Sequence, residues 1–155
     1  MLEITYLADH PHLVPTLAHW HHEQWGRINS HKTLADRLAR LQGHLQRRAI
    51  PTTFVALANG EPVGCASLVL HDLPDRVDLT PWLASVYVLP QRRHQGIGRA
   101  LVRRVEDEAR ALGVPTLYLY TPDRQQFYAH LGWSVVEERV YRGEVITLME
   151  LKIKD

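Results

Sequence analysis

The sequence predicts one α/β domain over residues 1–155, because strand patterns and amphipathic helix patterns alternate along the whole chain. A β-branched strand at 86–88 leads into a glycine-spaced basic turn and then into an amphipathic helix that begins near Gly98. A second alternating strand, at 117–120, is followed by a short helix and another strand. The 155 residues, of which 45% are hydrophobic, suffice for one core, and no repeat or linker divides them.

The first half of the chain predicts a strand, two helices and a hairpin. Alternation at 2–7 indicates the strand, and a helix is expected from near 11 to 25, ending at glycine. A second helix is expected over 31–48, capped by Asn29 or Ser30. Its leucines recur at helical spacing at Leu34, Leu38, Leu41 and Leu45. The Asn59-Gly60 pair tolerates positive φ and joins the next two strands, 53–58 and 63–70, in a hairpin.

The second half predicts four strands and two helices. The strands are expected at 86–88, 117–120, 133–137 and 145–152. The helix after Gly98 ends at Gly113. Thr121 is expected to cap the last helix, with Pro122 at its first position.

The turn between the strand at 86–88 and its helix predicts an anion site. Backbone N–H groups and the positive end of the helix dipole meet there, an arrangement suited to phosphate or pyrophosphate. Gly96 and Gly98 allow close backbone approach, and Arg92, Arg93 and Arg99 add positive charge. Neither the dinucleotide fingerprint nor the Walker pattern fits these residues, and an ordinary strand–turn–helix connection is the alternative.

Two motifs resemble those of the GNAT acetyltransferase superfamily. The pattern R-x-x-G-x-G at 93–98, after a V-x-V-x-P strand end, is similar to the family's loop for the pyrophosphate of coenzyme A. The phrase F-Y-A-H-L-G-W at 127–133 matches the family motif F/L-Y-x-x-x-G-F/W, in the right order and at about the right distance. The resemblance covers approximately 63–136. It implies a GNAT-like mixed sheet of about seven strands, mostly antiparallel and splayed at its centre, with four helices on both faces.

The resemblance implies an N-acetyltransferase that uses acetyl-CoA as co-substrate and no metal. A primary amine would attack directly in a ternary complex, with Tyr128 as general acid for the leaving thiolate. The residues expected to bind the cofactor are Val86, Tyr87, Val88, Arg93, His94, Gln95, Gly96, Ile97, Gly98, Arg99, Ala100 and Thr121. Packing is the alternative for Tyr128, and helix capping for Thr121. A non-catalytic acyl-CoA sensor or interaction module is the alternative function, because Ala84 stands where some relatives carry a glutamate.

The acceptor is expected to be a small-molecule amine or a peptide or protein N-terminus. The residues expected to contact it are Glu23, Trp25, His31 and Tyr141. No base is singled out for the amine: Asp72, Asp78, Tyr118, Tyr120, a water on Ser85 and a water chain all remain open. The histidines at 19–22 match no metal-binding spacing, so no metal site is expected.

Charge and cysteine content narrow the expected partners and compartment. A net charge of +1 favours neither nucleic acid nor an acidic membrane as a partner. The single cysteine, Cys65, excludes an internal disulfide and fits a reducing compartment. The chain shows no signal-peptide pattern, so the cytoplasm is the expected location, and a homodimer stays open as an assembly.

Overall fold

The computed structural model describes residues 1–27 and 29–153, which form one seven-stranded sheet in the order β1-β2-β3-β4-β5-β7-β6. The strands are β1 Leu2–Tyr6, β2 Thr52–Ala58, β3 Glu61–Val69, β4 Trp82–Val88, β5 Thr116–Thr121, β6 Ser134–Tyr141 and β7 Glu144–Lys152. The helices are α1 Val14–Trp25, α2 Leu34–Gln42, α3 Ile97–Ala111 and α4 Gln125–His130. The predicted mixed sheet with seven strands and four helices is confirmed.

Helices cover both faces of the sheet, because successive residues of a strand point to opposite sides. In β2, Phe54 and Ala56 belong to the core beneath α3 and α4, whereas Val55 and Leu57 belong to the core beneath α1 and α2. Trp82, the largest fully buried side chain in the described residues, lies at the start of β4 in a third cluster with residues of β3 and β7. No helix among the described residues is long and apolar enough to cross a membrane.

The second helix is shorter than predicted and has a different cap. It begins at Leu34, and Thr33 caps it in place of Asn29 or Ser30. The Asp36 N–H donates to Thr33 Oγ1 at 3.1 Å, and the Asp36 carboxylate accepts from the Thr33 N–H at 2.9 Å. This capping box satisfies two backbone donors at once, an advantage that neither Asn29 nor Ser30 has here.

The last helix and the fourth strand also begin elsewhere than predicted. Thr121 ends β5, and its Oγ1 accepts the Arg124 N–H at 2.9 Å, which forms a turn that delays α4 until Gln125. Thr121 is therefore not the N-cap that the sequence suggested. Strand β4 begins at Trp82, four residues before the expected start, because Trp82 already pairs with Val69 of β3 and Tyr118 of β5.

Strands β4 and β5 separate at the centre of the sheet. They are the sheet's one parallel pair, and their pairing holds only at Trp82 and Tyr118. On the other side of β4, the register with β3 shifts near Ser85, whose φ is 57°. Such a bulge bends the strand and re-aims the residues that follow it. The bend and the early end of pairing leave an opening between the two strands.

Candidate active site

The opening between β4 and β5 continues into a cleft of about 450 Å³ that runs across the sheet. One end, here called the α3 end, is lined by β4, the start of α3 and the residues from Thr121 to Tyr128. The other, called the hairpin end, is lined by residues of the α1–α2 connection, by α2, by Asp72 and by the β6–β7 hairpin. A single cleft therefore joins the two regions in which the sequence placed a cofactor and an acceptor.

The α3 end offers a set of backbone donors. The first intrahelical bond runs from the Ala100 N–H to the Gly96 carbonyl at 3.1 Å, so the N–H groups of residues 97–99 have no partner within the helix. Gly96 has a φ of 84°, a conformation that favours glycine. A Cβ added at Gly98 would lie 3.7 Å from both Phe127 and Val88, in the space that the glycine leaves open.

Positive charge surrounds these donors. Arg92, Arg93 and Arg99 all line the α3 end, as His94 does. The Arg93 Nε donates to the Val88 carbonyl at 2.9 Å, which fixes this side chain beside the opening. Of the residues predicted to bind the cofactor, Gln95 and Ala100 are not part of the cleft lining, and the others are.

The backbone of β4 alternates between its neighbour β3 and the opening. The Leu89 N–H donates to the Val63 carbonyl at 2.9 Å, and Tyr87 lies opposite Cys65, so these two residues face β3. Antiparallel strands direct the intervening backbone groups to the other side. The N–H groups of Val86 and Val88 therefore point into the opening, where β5 has already diverged.

The tyrosine of the second motif lies at the α3 end with its ring buried. Tyr128 is 8% exposed, and its ring packs against Phe127 and Trp133, with centroids 5.0 and 6.1 Å away. Burial raises the pKa of Tyr128 above its usual range, so the phenol keeps its proton at neutral pH. Among the described residues none shares a hydrogen bond with this hydroxyl, which is available to a group in the cleft.

Of the four side chains proposed as bases, the structure favours Asp72. Asp72 lines the hairpin end, and burial raises its pKa to about 6 against the opposing effects of Arg40 and Lys32. Tyr120 lines the same cleft, but burial raises its pKa, so it stays protonated. Asp78 lies outside the cleft, 3.0 Å from Arg76, whose hydrogen bond lowers its pKa.

The fourth side chain, Tyr118, is also outside the cleft lining. Its ring packs on Trp82, with a centroid distance of 5.8 Å. The geometry therefore leaves Asp72 as the one ionisable group of the four that is both in the cleft and charged at neutral pH.

Three of the four residues predicted to contact the acceptor line the hairpin end. Trp25 lies edge-on to Tyr87 with ring centroids 6.4 Å apart, and the Tyr141 hydroxyl donates to Asn29 Oδ1 at 3.5 Å. His31 lines the same end. Glu23 does not, because residues two positions apart on a helix do not face the same way and Trp25 takes the inward position.

Four basic residues at the hairpin end were not predicted, one of which is Arg27 of the α1–α2 connection. The others are Lys32, Arg37 and Arg40, of which Arg37 and Arg40 lie three positions apart on α2, hence on one face. This i, i+3 spacing was the available signal, but the leucine stripe of the same helix masked it.

Of the histidines of α1, His21 belongs to the packed interior rather than to a metal site. His21 is buried, with Nε2 3.4 Å from Cys65 Sγ, and burial lowers its pKa to about 3, so it is neutral. Within residues 1–27 and 29–153, no group of three potential ligands is placed to hold a metal ion.

Comparisons with known proteins identify the family of this chain. A family model described as "Acetyltransferase (GNAT) family" matches residues 14–133. The chain is 33% identical over 132 residues to N-alpha-acetyltransferase 80 of Mus musculus, a match that covers 82% of this chain and 40% of that protein. It is 31% identical over 97 residues to an amino-acid acetyltransferase of Pseudomonas syringae pv. syringae, covering 63% and 22%. The matches thus span less than half the length of these relatives.

Solved structures share the fold over the full chain. An aminoglycoside 6'-N-acetyltransferase complexed with coenzyme A superposes with a TM-score of 0.77 at 18% identity, covering 99% of this chain and 98% of that one. An aminoglycoside 6'-acetyltransferase type Ii superposes with a TM-score of 0.74 at 20% identity, again covering 99% and 98%.

Proposed function

This chain belongs to the GNAT acetyltransferase family, and from that premise we propose that it transfers the acetyl group of acetyl-CoA to a primary amine. One observation carries the proposal: the free N–H groups of α3, the backbone of β4 and the Tyr128 hydroxyl all border the same cleft. Acyl transfer from the thioester of coenzyme A requires three kinds of group: hydrogen-bond donors that bind the phosphates, a donor that stabilises the oxyanion, and a proton donor for the leaving thiolate.

The residues present fit coenzyme A. The N–H groups of residues 97–99 and the guanidinium groups beside them suit a pyrophosphate, and the space left by Gly98 lets it reach the backbone. Arg93 is already held against the Val88 carbonyl, so little side-chain entropy is lost when it meets an anion. When bound, acetyl-CoA supplies an electrophilic thioester carbonyl and a thiolate leaving group.

Two protein groups stabilise charge that develops during transfer. The N–H groups of Val86 and Val88 face the opening and can donate to the acetyl oxygen as it becomes negative. Tyr128 keeps its proton because it is buried, and it donates that proton to sulfur, whose thiol has a pKa of about 8.5 by analogy with cysteine. The general acid and the oxyanion donors thus act on opposite sides of the breaking bond.

The amine must lose a proton before it can attack, since an α-amine has a pKa of about 8. Asp72 is the group we propose as the acceptor of that proton, because it lines the cleft with a pKa of about 6 and is charged at neutral pH. The substrate that accepts the acetyl group is a small-molecule amine or a peptide N-terminus, in keeping with relatives named for amino-acid and N-alpha acetylation.

The Tyr128→Phe variant tests the mechanism. Phenylalanine keeps the ring packing on Phe127 and Trp133, so the affinity for acetyl-CoA is expected to stay the same. The value of kcat is expected to fall by about 10²–10⁴-fold, the usual contribution of a general acid. Tyr118→Phe is the matched control, because Tyr118 lies outside the cleft lining and contacts Trp82. Unchanged turnover in Tyr128→Phe would assign this tyrosine to packing alone.

Cofactor binding is measured separately, by titrating the protein with coenzyme A and acetyl-CoA and following both heat and melting temperature. A hundredfold excess over Kd should stabilise the protein by about 2.7 kcal/mol. No response to either compound would contradict the proposed function. Binding without turnover of any amine would support the alternative of an acyl-CoA sensor.

A further inference from the structure

The hairpin end of the cleft carries an excess of positive charge that the proposed transfer does not explain. Lys32, Arg37 and Arg40, here called the basic cluster, line it together, beside the exposed Arg27, which lies 3.8 Å from Glu144. Among the described residues, Asp72 is the one carboxylate that lines this end. The whole chain has a net charge of only +1, so the excess is local. A cleft lined by one sign of charge concentrates ligands of the opposite sign.

Arg37 is buried, and no carboxylate of residues 1–27 or 29–153 lies within 4.0 Å of its guanidinium. The residue is 7% exposed, and its hydrogen bonds within the described part of the chain go to His22 Nδ1 at 3.3 Å and the Asn29 carbonyl at 3.4 Å. The neighbouring Asp36 is engaged in capping α2 through Thr33. Buried charges in proteins are normally paired. Arg37 is therefore a buried cation that an anionic ligand in the cleft could pair with.

Of the other two cations, only Arg40 has a carboxylate close by among the described residues. Arg40 lies 3.8 Å from Asp72, whereas Lys32 is half-buried and no carboxylate among the described residues lies within 4.0 Å of it. Burial, followed by repulsion from Arg40, lowers the pKa of both Lys32 and Arg37. Three cations against one carboxylate leave a repulsion that an anionic ligand would relieve.

We propose that the basic cluster binds a carboxylate of the acceptor, so that the acceptor is a primary amine with a carboxylate close to its amino group. This inference rests on the proposed function and specifies its substrate class. Asp72 receives the ammonium group while Lys32 and Arg37 receive the carboxylate, so the two charges of the acceptor meet complementary charges in the cleft. Polycationic amines are disfavoured because the cluster repels them.

A free acidic amino acid and an acidic peptide N-terminus present the same chemistry, and matched substrates distinguish them. The free acceptors are aspartate and asparagine amide; the peptide acceptors are tripeptide amides that begin with aspartate, asparagine or lysine. In at least one of the two series, kcat/KM is expected to be about tenfold or more higher for the aspartate member, the usual scale for one charged hydrogen bond. The lysine peptide is expected to be the poorest. If kcat/KM were the same for the acidic, neutral and basic acceptors in both series, the inference would be overturned.

Lys32→Gln tests the cluster itself, because it removes one cation at a half-buried position and replaces it with a polar side chain of similar length. It is expected to lower kcat/KM for the aspartate acceptor by about tenfold, with little change for the asparagine acceptor or in KM for acetyl-CoA. Lys152→Gln is the matched control, since its ammonium is 67% exposed at the end of β7 and outside the cleft. A loss of the same size for both acceptors, or for both variants, would contradict the assignment.

A binding measurement keeps the inference separate from the proposed function. N-acetyl-aspartate and the N-acetylated aspartate peptide amide are titrated into the cofactor-free protein, and the melting temperature is followed for wild type and Lys32→Gln. A stabilisation that Lys32→Gln loses would support the carboxylate site even if no amine were acetylated. If acetyl-CoA binds but neither carboxylate probe does, the inference fails and the cofactor site stands.

Discussion

Replacing Asp72 by asparagine should make this protein more stable and less active. The substitution keeps the shape of the side chain and removes a charge that the surroundings disfavour. Burial raises the pKa of Asp72 from 3.8 to about 6, and this value already includes the opposing attraction of Arg40 and Lys32. A pKa difference of that size corresponds to about 3 kcal/mol at neutral pH, which is an upper value for the gain in the free energy of unfolding.

The sign of the pH dependence follows from the direction of the shift. Because the carboxyl binds its proton more tightly in the folded state, wild-type stability from this group is greatest below pH 3.8 and falls as the pH rises to about 6. Asp72→Asn has no such loss. Its advantage in the free energy of unfolding should therefore be largest above pH 7 and vanish near pH 4.

Urea unfolding of both proteins at several pH values measures this difference. Asp78→Asn is the matched control, because Asp78 is exposed, paired with Arg76 and outside the cleft, so that its loss should bring no gain at neutral pH. In the same preparations, Asp72→Asn should lose most of its acetyl transfer while keeping coenzyme A affinity. An asparagine variant that is less stable than wild type at pH 8, or one whose advantage persists at pH 4, would refute the reasoning.

Three further predictions concern other parts of the cleft and core. Gly98→Ala should fold normally, because its Cβ makes only ordinary contacts at 3.7 Å, but its Kd for coenzyme A, measured by titration, should rise. Trp25→Ala should raise KM for the acceptor more than KM for acetyl-CoA, and equal changes in both would show that Trp25 only packs in the core. Because Trp25 is half-buried, the loss in the free energy of unfolding should be smaller than the value of about 3–5 kcal/mol for a fully buried tryptophan. His44 has its pKa lowered to about 4, chiefly by burial, so its contribution to stability is present above pH 6.5 and lost as the pH falls to about 4; His44→Asn, which can still bond to Thr53, should flatten that decline in urea unfolding.

Local sequence patterns predicted the secondary structure and the backbone turns at the α3 end of the cleft. The glycines that open α3 and the motif that carries Tyr128 each specify a strand–turn–helix unit within about fifteen residues. Their placement follows from short-range geometry, such as the positive φ at Gly96. The structure adds that both units border one cleft, a relation that depends on the separation of β4 from β5.

The hairpin end could not be predicted in the same way. Asp72 and Asp78 lie on one connection between β3 and β4 and look equivalent in the sequence, yet one is in the cleft and the other pairs with Arg76. What separates them is burial, which depends on tertiary packing and has no period along the chain. The bulge at Ser85 is similarly absent from the pattern, because serine has no special preference for positive φ.

The electrostatics of the hairpin end link the two proposals. Partial burial raises the pKa of Asp72 and lowers the pKa values of the neighbouring cations, so these charges reduce the stability of the folded protein. A ligand with only an amine would satisfy Asp72 and leave Lys32 and Arg37 repelling each other. A ligand with an amine and a carboxylate would satisfy both sides, with its amine beside Asp72 and Tyr120 of β5 and its carboxylate towards α2. That orientation places the nucleophile next to the opening between β4 and β5, where the acetyl group would lie.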